Sequence, residues 1–232
     1  MTVRKGSLGG ASRLRPLHLA DVSFPGGHPR AGTTGPVYAF LILHPLGPIL
    51  VDTGIGPQNP LIDRLYRPVR SDLAEALARF GFALGDIRAV VNTHLHFDHC
   101  GGNQLFPGTP IFVQRLEMED ARGPDYTMSE WVQFSGADYR LVDGEREIAP
   151  GVRTIPTPGH TRGHESVAVE TAEGLTIICG QAAETAAEFD SQPGAGSLSL
   201  LRELQPARVV FSHDDSQWAG GLSAIIAPTD EM

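Results

Sequence analysis

Apolar runs separated by short polar turns divide the chain into predicted strands. Short, continuous runs of β-branched and other apolar residues are typical of buried strands. Residues 37–43 and 49–51 form two such runs, and the Pro-Leu-Gly-Pro turn between them predicts a hairpin. We predict further strands at residues 87–92, 110–114, 139–142, 152–155, 175–179 and 207–211.

Helical spacing is clearest in residues 71–81. Leu73 and Leu77 share one face there, and apolar residues at this spacing indicate a helix that packs on a core. Ser71 suits the N-cap, and Gly81 suits the C-terminal end. Two more helices are predicted at residues 115–122 and 197–204.

Four segments show no clear period. Residues 1–35 are expected to be an arm with one strand near 17–22, and residues 216–232 a weakly structured tail or a short helix. Residues 57–70 and 123–136 are long connections, which are often functional. For residues 57–70 two interpretations are open, because the segment either covers a functional site or only packs on the domain.

Composition narrows the class of protein and excludes some partners. The 232 residues suffice for one large domain or two small ones, and we expect a single domain over residues 1–232. Hydrophobic residues make up 41 % and charged residues 19 %, as in a soluble globular protein, and 27 Gly with 18 Pro indicate the tight connections of a strand-rich α/β domain. The net charge of -9 argues against nucleic acid and membranes as partners.

Targeting segments and disulfide chemistry are not expected. The basic start of the chain leads into no apolar segment, so we predict neither a signal peptide nor a transmembrane span. Cys100 and Cys179 are too few for a disulfide scaffold, and we expect both to be reduced and buried. A cytoplasmic location and a small-molecule substrate follow as expectations, with a homodimer as one option for assembly.

Candidate chemistry is concentrated in residues 93–102, Thr-His-Leu-His-Phe-Asp-His-Cys-Gly-Gly. Three imidazoles and one carboxylate fall within six positions, a density that neither helical nor strand periodicity requires. Neutral imidazole nitrogens and carboxylate oxygens are the ligands that zinc and its first-row neighbours prefer. A core or surface role would suit a single histidine, but this cluster favours metal binding.

The position of the cluster, directly after a predicted strand, indicates how it can serve two metal ions. His94 and His96 are two residues apart, so in an extended chain their side chains point the same way. Asp98 and His99 lie beyond the bend and can face a different point. One loop can therefore supply two ligands to each of two neighbouring ions.

This motif resembles the signature of the metallo-β-lactamase superfamily. The resemblance implies an α/β fold of four layers, an αβ/βα sandwich in which outer helices cover two mixed sheets and the metals lie at one edge between the sheets. It also implies that His160, within Thr-Pro-Gly-His, is the third ligand beside His94 and His96. His213, after the last predicted strand, would complete the set of Asp98 and His99.

Three more positions gain meaning from the resemblance. Asp52 follows a predicted strand in an Asp-Thr-Gly motif that the family shares, and it is either a turn cap or, as we prefer, the hydrogen-bond acceptor of a ligand imidazole. Hydrolases of the family often place a metal-bridging Asp where this chain has Gln181, and an amide is a weak, neutral ligand. Either the site stays dinuclear, bridged by hydroxide alone, or the second metal binds weakly. Glu184 is a candidate carboxylate nearby.

The two ligand sets predict hydrolysis. Three protein ligands for each metal leave room for water, which is typical of catalytic sites. Two metals a few ångström apart can share a hydroxide that is nucleophilic at neutral pH, and Asp98 can pass a proton to the leaving group. We expect two divalent ions, with zinc preferred over iron, cobalt or manganese.

Within the superfamily, residues 36–215 look most like the N-acyl-homoserine lactonases. We therefore expect a lactonase or a related carboxylic-ester hydrolase. The alternatives are a hydrolase of a thioester, β-lactam, aryl ester or phosphotriester, and a metal-binding protein with weak or no hydrolytic activity. Those lactonases commonly have a substrate-facing Tyr where this chain has Glu184, which leaves the substrate open.

Aromatic residues near the motif and in the two long connections are candidates for contact with substrate. Trp131 and Phe134 are three residues apart, so on a helix they would share a face. They are either ordinary core residues or an apolar wall for a substrate chain. The full set of candidates is Tyr66, Phe97, Trp131 and Phe134.

Overall fold

The computed structural model describes residues 11–191, 196–220 and 224–226. Strands from the first part of the described chain form one sheet of seven strands, and strands from residue 146 onward form a second sheet of seven. The two halves of the chain therefore build the two sheets separately.

In the first sheet, neighbouring strands are antiparallel on one side and parallel on the other. Its strands are β1 (Arg13–Ser23), β2 (Thr34–Leu43), β3 (Ile49–Val51), β4 (Val69–Arg70), β5 (Ala89–Val91), β6 (Pro110–Gln114) and β7 (Asp138–Val142). Their spatial order is β4-β1-β2-β3-β5-β6-β7. Because β3 and β5 are parallel neighbours, their carboxyl ends meet at the same edge.

The second sheet is also mixed. Its strands are β8 (Arg146–Ala149), β9 (Val152–Pro156), β10 (Glu165–Thr171), β11 (Gly174–Ile178), β12 (Arg208–Phe211), β13 (Asp214–Ala219) and β14 (Ala224–Ile226). Their order is β14-β13-β12-β11-β10-β9-β8. Only the β11–β12 pair is parallel among the pairs in this sheet of the described chain, and both strands end at the same edge.

Short helices cover the outer faces and fill the connections. They are α1 (Pro60–Tyr66), α2 (Leu73–Ala78), α3 (Phe97–Cys100), α4 (Arg115–Asp120), α5 (Ser129–Val132), α6 (Ala186–Ser191) and α7 (Ser197–Glu203). Single 3-10 turns occupy Leu84–Asp86 and Asn103–Leu105. Among the described residues, none of the helices is both long and apolar enough to cross a membrane.

Buried side chains show that the layers pack as a four-layer sandwich. Phe40 and Val91 from the first sheet meet Val167 from the second in the central core. Leu77 of α2 packs on the outer face of the first sheet, and Phe189 of α6 packs on the outer face of the second. Fully burying one such side chain is worth about 1.5–3 kcal/mol, so each helix is held by a few residues. The predicted four-layer α/β fold is confirmed.

Several predicted boundaries were wrong at the two ends of the chain. The strand expected near residues 17–22 extends over all of β1, where it pairs with β2 through most of its length. The tail expected from residue 216 onward to be weakly structured or helical instead continues β13 and contains β14. Residues 1–10, 221–223 and 227–232 of these predictions lie outside the described residues.

Two further differences concern local structure. Helix α2 is shorter than predicted, and its N-cap is Asp72, whose carboxylate accepts from the backbone N–H of Glu75 at 3.0 Å, not Ser71. The segment 57–70 is not a plain connection, since it contains α1 and β4. Asn59 caps α1 through two backbone N–H groups, which is why this helix begins at Pro60.

Candidate metal centre

The metal-binding motif occupies the loop between β5 and α3. The chain leaves β5 at Val91 and stays extended through His96, and α3 then begins at Phe97. Gly101 brings the end of this loop flush against the turn after β3, because a Cβ there would lie 2.0 Å from the backbone nitrogen of Gly56. Any larger residue would push the motif away from β3.

The first ligand group consists of His94, His96 and His160. Nε2 of His94 lies 3.1 Å from Nδ1 of His96, and Nε2 of His160 lies 3.0 Å from the same atom. His160 comes from the loop after β9, which Pro158 and Gly159 turn sharply. Its ring is therefore brought to His96 from the opposite sheet.

The second ligand group consists of Asp98, His99 and His213. Nε2 of His99 lies 3.3 Å from Nε2 of His213, and Oδ2 of Asp98 lies 3.5 Å from that same His213 nitrogen. His213 follows β12 after Ser212, and its Nδ1 donates to the carbonyl oxygen of Pro36 at 2.9 Å. The rings of His94 and His99 are 4.0 Å apart between centroids, so the two groups are neighbours.

The spacing of the donor atoms fits divalent metal ions. In each group the three candidate atoms lie within 4.8 Å of one another. Around a tetrahedral zinc ion with bonds of about 2.0–2.1 Å, ligand atoms are roughly 3.3 Å apart, close to the distances within both groups. Three donors in each group leave one position for water or substrate, which is typical of a catalytic site.

The imidazoles of the first group are neutral at pH 7, as metal ligands must be. Burial, together with neighbouring imidazoles, holds the pKa of His94 well below its usual value. Burial lowers the pKa of His96 to about 4. Partial burial of the His160 ring, aided by His96, lowers its pKa to about 3, although the residue reaches the surface. Their lone pairs are thus free to bind a cation.

The second group carries more charge. Burial opposes ionisation of Asp98, but the imidazoles of His99 and His213 outweigh it and lower the pKa of this carboxyl. Burial likewise disfavours the charged form of His99, yet the carboxylates of Asp52 and Asp98 raise its pKa. Burial lowers the pKa of His213. The second group is therefore the anionic half of the site.

Asp52 supports the second group from behind. Its Oδ2 accepts from Nδ1 of His99 at 2.8 Å, and its two oxygens accept from the N–H and the hydroxyl of Thr93, each at 2.8 Å. Its φ of 59° is left-handed, a conformation that Asp tolerates better than most residues and that here turns the carboxylate toward the motif. The proton on Nδ1 leaves Nε2 of His99 free to bind a metal.

Gln181 lies where the family resemblance predicts it, beside the second group. Its side chain lies close enough to His99 to contribute to the raised pKa of that imidazole. Its backbone N–H donates to Nε2 of His164 at 2.9 Å, and Nδ1 of His164 in turn contacts the carbonyl oxygen of Thr157 at 3.1 Å. His164 is thus a hydrogen-bonding residue that holds the Gln181 turn, and it belongs to neither ligand group of the described chain.

Glu184 does not join the ligand groups found among the described residues. Its carboxylate oxygens lie 3.8 Å from the guanidinium of Arg30 and 4.0 Å from Nε2 of His28. Arg30 also donates to the carbonyl oxygen of His213 at 3.1 Å and stacks on Phe24. A polar cluster of Glu184, Arg30 and His28 therefore lies beside the second group, and the sequence predicted neither Arg30 nor His28 as part of it.

The four aromatic candidates fall into two pairs. Tyr66 of α1 packs on Phe97, with 4.5 Å between ring centroids, so α1 contacts the motif, which favours the interpretation that residues 57–70 cover the site. Trp131 is only 2 % exposed and its ring lies against Gly56, which favours the core interpretation of this residue. Phe134 packs against the outer core of the first sheet. Only the first pair offers surface beside the ligand groups.

Sequence reasoning missed Glu117, a fully buried carboxylate in α4 that contacts the metal-binding loop. Its helix shows an ordinary mixture of charged and apolar residues, so no local signal distinguishes Glu117 from the exposed Glu119. The expected thiols are both present, and Cys100 and Cys179 are free and buried.

Comparison with known proteins identifies the family. Residues 32–225 match the metallo-beta-lactamase superfamily. The chain is 32 % identical over 210 residues to an N-acyl homoserine lactonase of Bacillus cereus, which covers 80 % of this chain and 84 % of that one. It is 30 % identical over 224 residues to an N-acyl homoserine lactonase of Agrobacterium fabrum, and this match covers 79 % of this chain and 84 % of that one. The protein thus belongs to the metallo-beta-lactamase superfamily, as predicted.

A solved structure agrees with this assignment. An N-acyl homoserine lactone hydrolase with N-hexanoyl-L-homoserine bound at its catalytic metal centre superposes with a TM-score of 0.73. The two sequences are 30 % identical, and the match covers 88 % of this chain and 93 % of that one. The similarity thus extends over nearly the whole described fold.

Proposed function

We propose that the protein is a metal-dependent hydrolase that opens the ring of an N-acyl homoserine lactone. The observation that carries the proposal is that a chain 30–32 % identical to lactonases over 79–80 % of its length also brings together two groups of three candidate metal ligands. A quorum-quenching activity of this kind needs a small-molecule site, and the candidate ligands lie where loops from the two sheets meet.

Zinc is the metal that we propose for both groups. Imidazole nitrogen and carboxylate oxygen suit zinc, although iron, cobalt and manganese accept the same ligands. Divalent ions in such sites supply a nucleophile at neutral pH and polarise the carbonyl oxygen. The proposed ligands are His94, His96 and His160 for one ion, and Asp98, His99 and His213 for the other.

Asp98 is the residue that we assign to proton transfer. Ring opening adds one water to the acyl carbon and breaks the bond from that carbon to the ring oxygen. One proton must therefore pass from the attacking water to the leaving alkoxide. Asp98 is the carboxylate within the two ligand groups, and a carboxylate that binds a metal through one oxygen can take up that proton on the other.

The surface beside the ligand groups has an apolar and a charged side. Tyr66 and Phe97 form the apolar side, which suits the acyl chain of the substrate. Arg30 and Glu184 form the charged side, next to the carbonyl oxygen of His213. An acyl homoserine lactone has both an apolar tail and a polar head, so this division suits it.

The test is base consumption at constant pH by zinc-loaded protein with a long-chain acyl homoserine lactone. We expect hydrolysis in the wild type and its loss in His96→Ala, because the first ligand group would lose its central nitrogen. His18→Ala is the matched control, since His18 is an exposed histidine that pairs with Asp21 away from the site. Bound zinc without hydrolysis in the wild type would reject the lactone as substrate.

A second candidate is hydrolysis of a different class of substrate by the same residues. The charged pair of Glu184 and Arg30 favours it, because the lactonases commonly carry a Tyr at the position of Glu184. Thioester, β-lactam, aryl ester and phosphotriester substrates in the same assay distinguish this candidate from the first. A cytoplasmic location and a homodimer stay predictions.

A further inference from the structure

We propose that Glu117 is a positioning residue that holds the three histidines of the first ligand group together, so that the metal affinity of this group depends on it. The inference rests on the proposed metal centre, and it concerns a residue that contributes no atom to either ligand group. Its basis is the set of hydrogen bonds that the Glu117 carboxylate accepts.

The carboxylate of Glu117 is buried and accepts from three uncharged donors. Its Oε1 accepts from the backbone N–H of Leu95 at 2.8 Å and from the hydroxyl of Tyr126. Its Oε2 accepts from the hydroxyl of Thr161 at 2.7 Å. Glu117 itself is 0 % exposed, so these donors replace the water that an ionised carboxylate would otherwise bind.

Each donor is an immediate neighbour of a ligand histidine. Leu95 lies between His94 and His96 in the chain, and Thr161 directly follows His160. The ring of Tyr126 packs on His96, with 5.0 Å between ring centroids. Through these three contacts one carboxylate reaches all three members of the first ligand group.

The arrangement connects the two sheets at the point where the group is assembled. The motif loop follows a strand of the first sheet, and the loop that carries His160 follows a strand of the second. Gly163 lets the second loop lie flush against α4, because a Cβ there would lie 2.2 Å from the backbone nitrogen of Glu117. The distance of 3.0 Å between His160 and His96 is therefore set partly by Glu117.

Glu117→Gln is the appropriate change because it preserves size and removes the charge. An amide has one acceptor oxygen where the carboxylate has two. Its NH2 group would therefore face a hydrogen-bond donor that binds a carboxylate oxygen in the wild type. Partners behind metal ligands typically contribute about 10–100-fold to metal affinity. A purely structural role would instead weaken the protein without preference for one ligand group.

The experiment measures zinc affinity by competition with a chromophoric chelator in two backgrounds. His213→Ala disables the second group and leaves the first intact, whereas His160→Ala does the reverse. We expect Glu117→Gln to weaken zinc binding by about 10–100-fold in the His213→Ala background, which keeps the first ligand group. In the His160→Ala background, which keeps the second, we expect a loss of less than about threefold. Glu119→Gln, an exposed change on the same helix, is the matched control and should alter neither.

Two milder variants keep the test decisive if Glu117→Gln fails to fold. Tyr126→Phe and Thr161→Val each remove one donor to the carboxylate, and each should weaken zinc binding by about 2–10-fold in the His213→Ala background alone. Unchanged affinity in folded variants, or equal losses in both backgrounds, would overturn the inference. If the wild type binds no zinc at all, the proposed function fails and this inference fails with it.

Discussion

The two ligand groups lie side by side, but a buried carboxylate supports each in a different way. Asp52 acts on the second group directly, since it accepts from Nδ1 of the ligand His99. Glu117 acts on the first group through neighbours of its ligands, the backbone of Leu95 and the hydroxyl of Thr161. Asp52 therefore determines the tautomer of a ligand ring, whereas Glu117 determines the spacing of two loops.

The groups also differ in charge. The first group offers three neutral imidazoles, whereas the second includes the ionised Asp98. The second group is nevertheless less anionic than the family resemblance implies, because Gln181 supplies an amide where that resemblance led us to expect a carboxylate. Affinity for metal in the second group should therefore depend strongly on the two carboxylates that remain, Asp98 and Asp52.

Asp52→Asn is expected to have the largest effect. The new NH2 group would face Nδ1–H of His99 or the donors of Thr93, so His99 would favour the tautomer with its proton on Nε2, the atom aimed at the metal. We expect zinc affinity of the second group to fall about 10–100-fold and the free energy of unfolding by roughly 3 kcal/mol. Chelator competition in the His160→Ala background and urea unfolding measure the two effects.

Asp52→Asn also tests whether the two ligand groups are supported independently. Asp52 also binds Thr93, which precedes His94 of the first group. If Asp52→Asn weakened zinc binding equally in the His160→Ala and His213→Ala backgrounds, the two groups would not be supported independently. Asp63→Asn is a control of the same chemistry, because Asp63 pairs with Arg70 away from the ligands.

Glu165→Gln tests the effect on stability of a buried carboxyl that supports neither ligand group. We expect this substitution to stabilise the fold at high pH, whereas Asp52→Asn should destabilise it. The side chain accepts from Gln114 at 2.5 Å, and burial raises the pKa of Glu165 to about 8. A carboxyl whose folded pKa lies above its unfolded value stabilises the fold at low pH, and this contribution is lost as the pH rises through the folded pKa.

The variant should therefore be more stable than the wild type at pH 8.5 and equally stable near pH 4.5. The expected difference in the free energy of unfolding at pH 8.5 is on the order of 2 kcal/mol. Urea unfolding at the two pH values measures it, with Glu119→Gln as the exposed control. A difference that stays constant with pH would show that the pKa of Glu165 does not change on folding.

Local spacing explains why one part of the site could be predicted from sequence. His94, His96, Asp98 and His99 lie within six positions, so a single loop brings them together. Glu117 could not be predicted, because its role arises from contacts with Leu95 and Thr161 that only the packing of α4 creates. The family resemblance supplied the more distant ligands.

Strand pairing explains where the fold prediction failed. The sequence Asp-Asp-Ser-Gln at residues 214–217 lacks the β-branched apolar run that is typical of buried strands, yet it forms β13 because β12 offers an unpaired edge. Strand β10 was missed although Val167 and Val169 alternate within it. In α2, Ser71 and Asp72 are both good caps, and only the backbone geometry decides between them.

Gln181→Asp tests the lower charge of the second group. The amide side chain lies close enough to His99 to affect its pKa, so a carboxylate there would bring a second negative charge near the proposed metal. We expect zinc affinity of the second group to rise by roughly tenfold, measured in the His160→Ala background, with the first group unaffected. An unchanged affinity together with an unchanged rate of lactone hydrolysis would refute the idea that Gln181 limits metal binding.

Glu184→Gln should have the smallest effect, and it separates two roles for this residue. Its carboxylate lies 3.8 Å from Arg30, and the two side chains are 22 % and 26 % exposed, so the pair is loose and partly solvated. We expect a change in the free energy of unfolding within about 0.5 kcal/mol and a change in KM for the lactone of a few-fold at most. Zinc affinity should not change, because Glu184 lies outside both ligand groups.

For Glu184→Gln, the most informative outcome would be a loss of zinc affinity. If Glu184→Gln weakened zinc binding tenfold in the His160→Ala background, Glu184 would turn from Arg30 toward the second group when metal is present, and it would supply the carboxylate that Gln181 lacks. Glu130→Gln, at an exposed position, controls for the loss of one negative charge. The pair of results from Glu184→Gln and Gln181→Asp therefore decides whether the second group is completed by one carboxylate or by two.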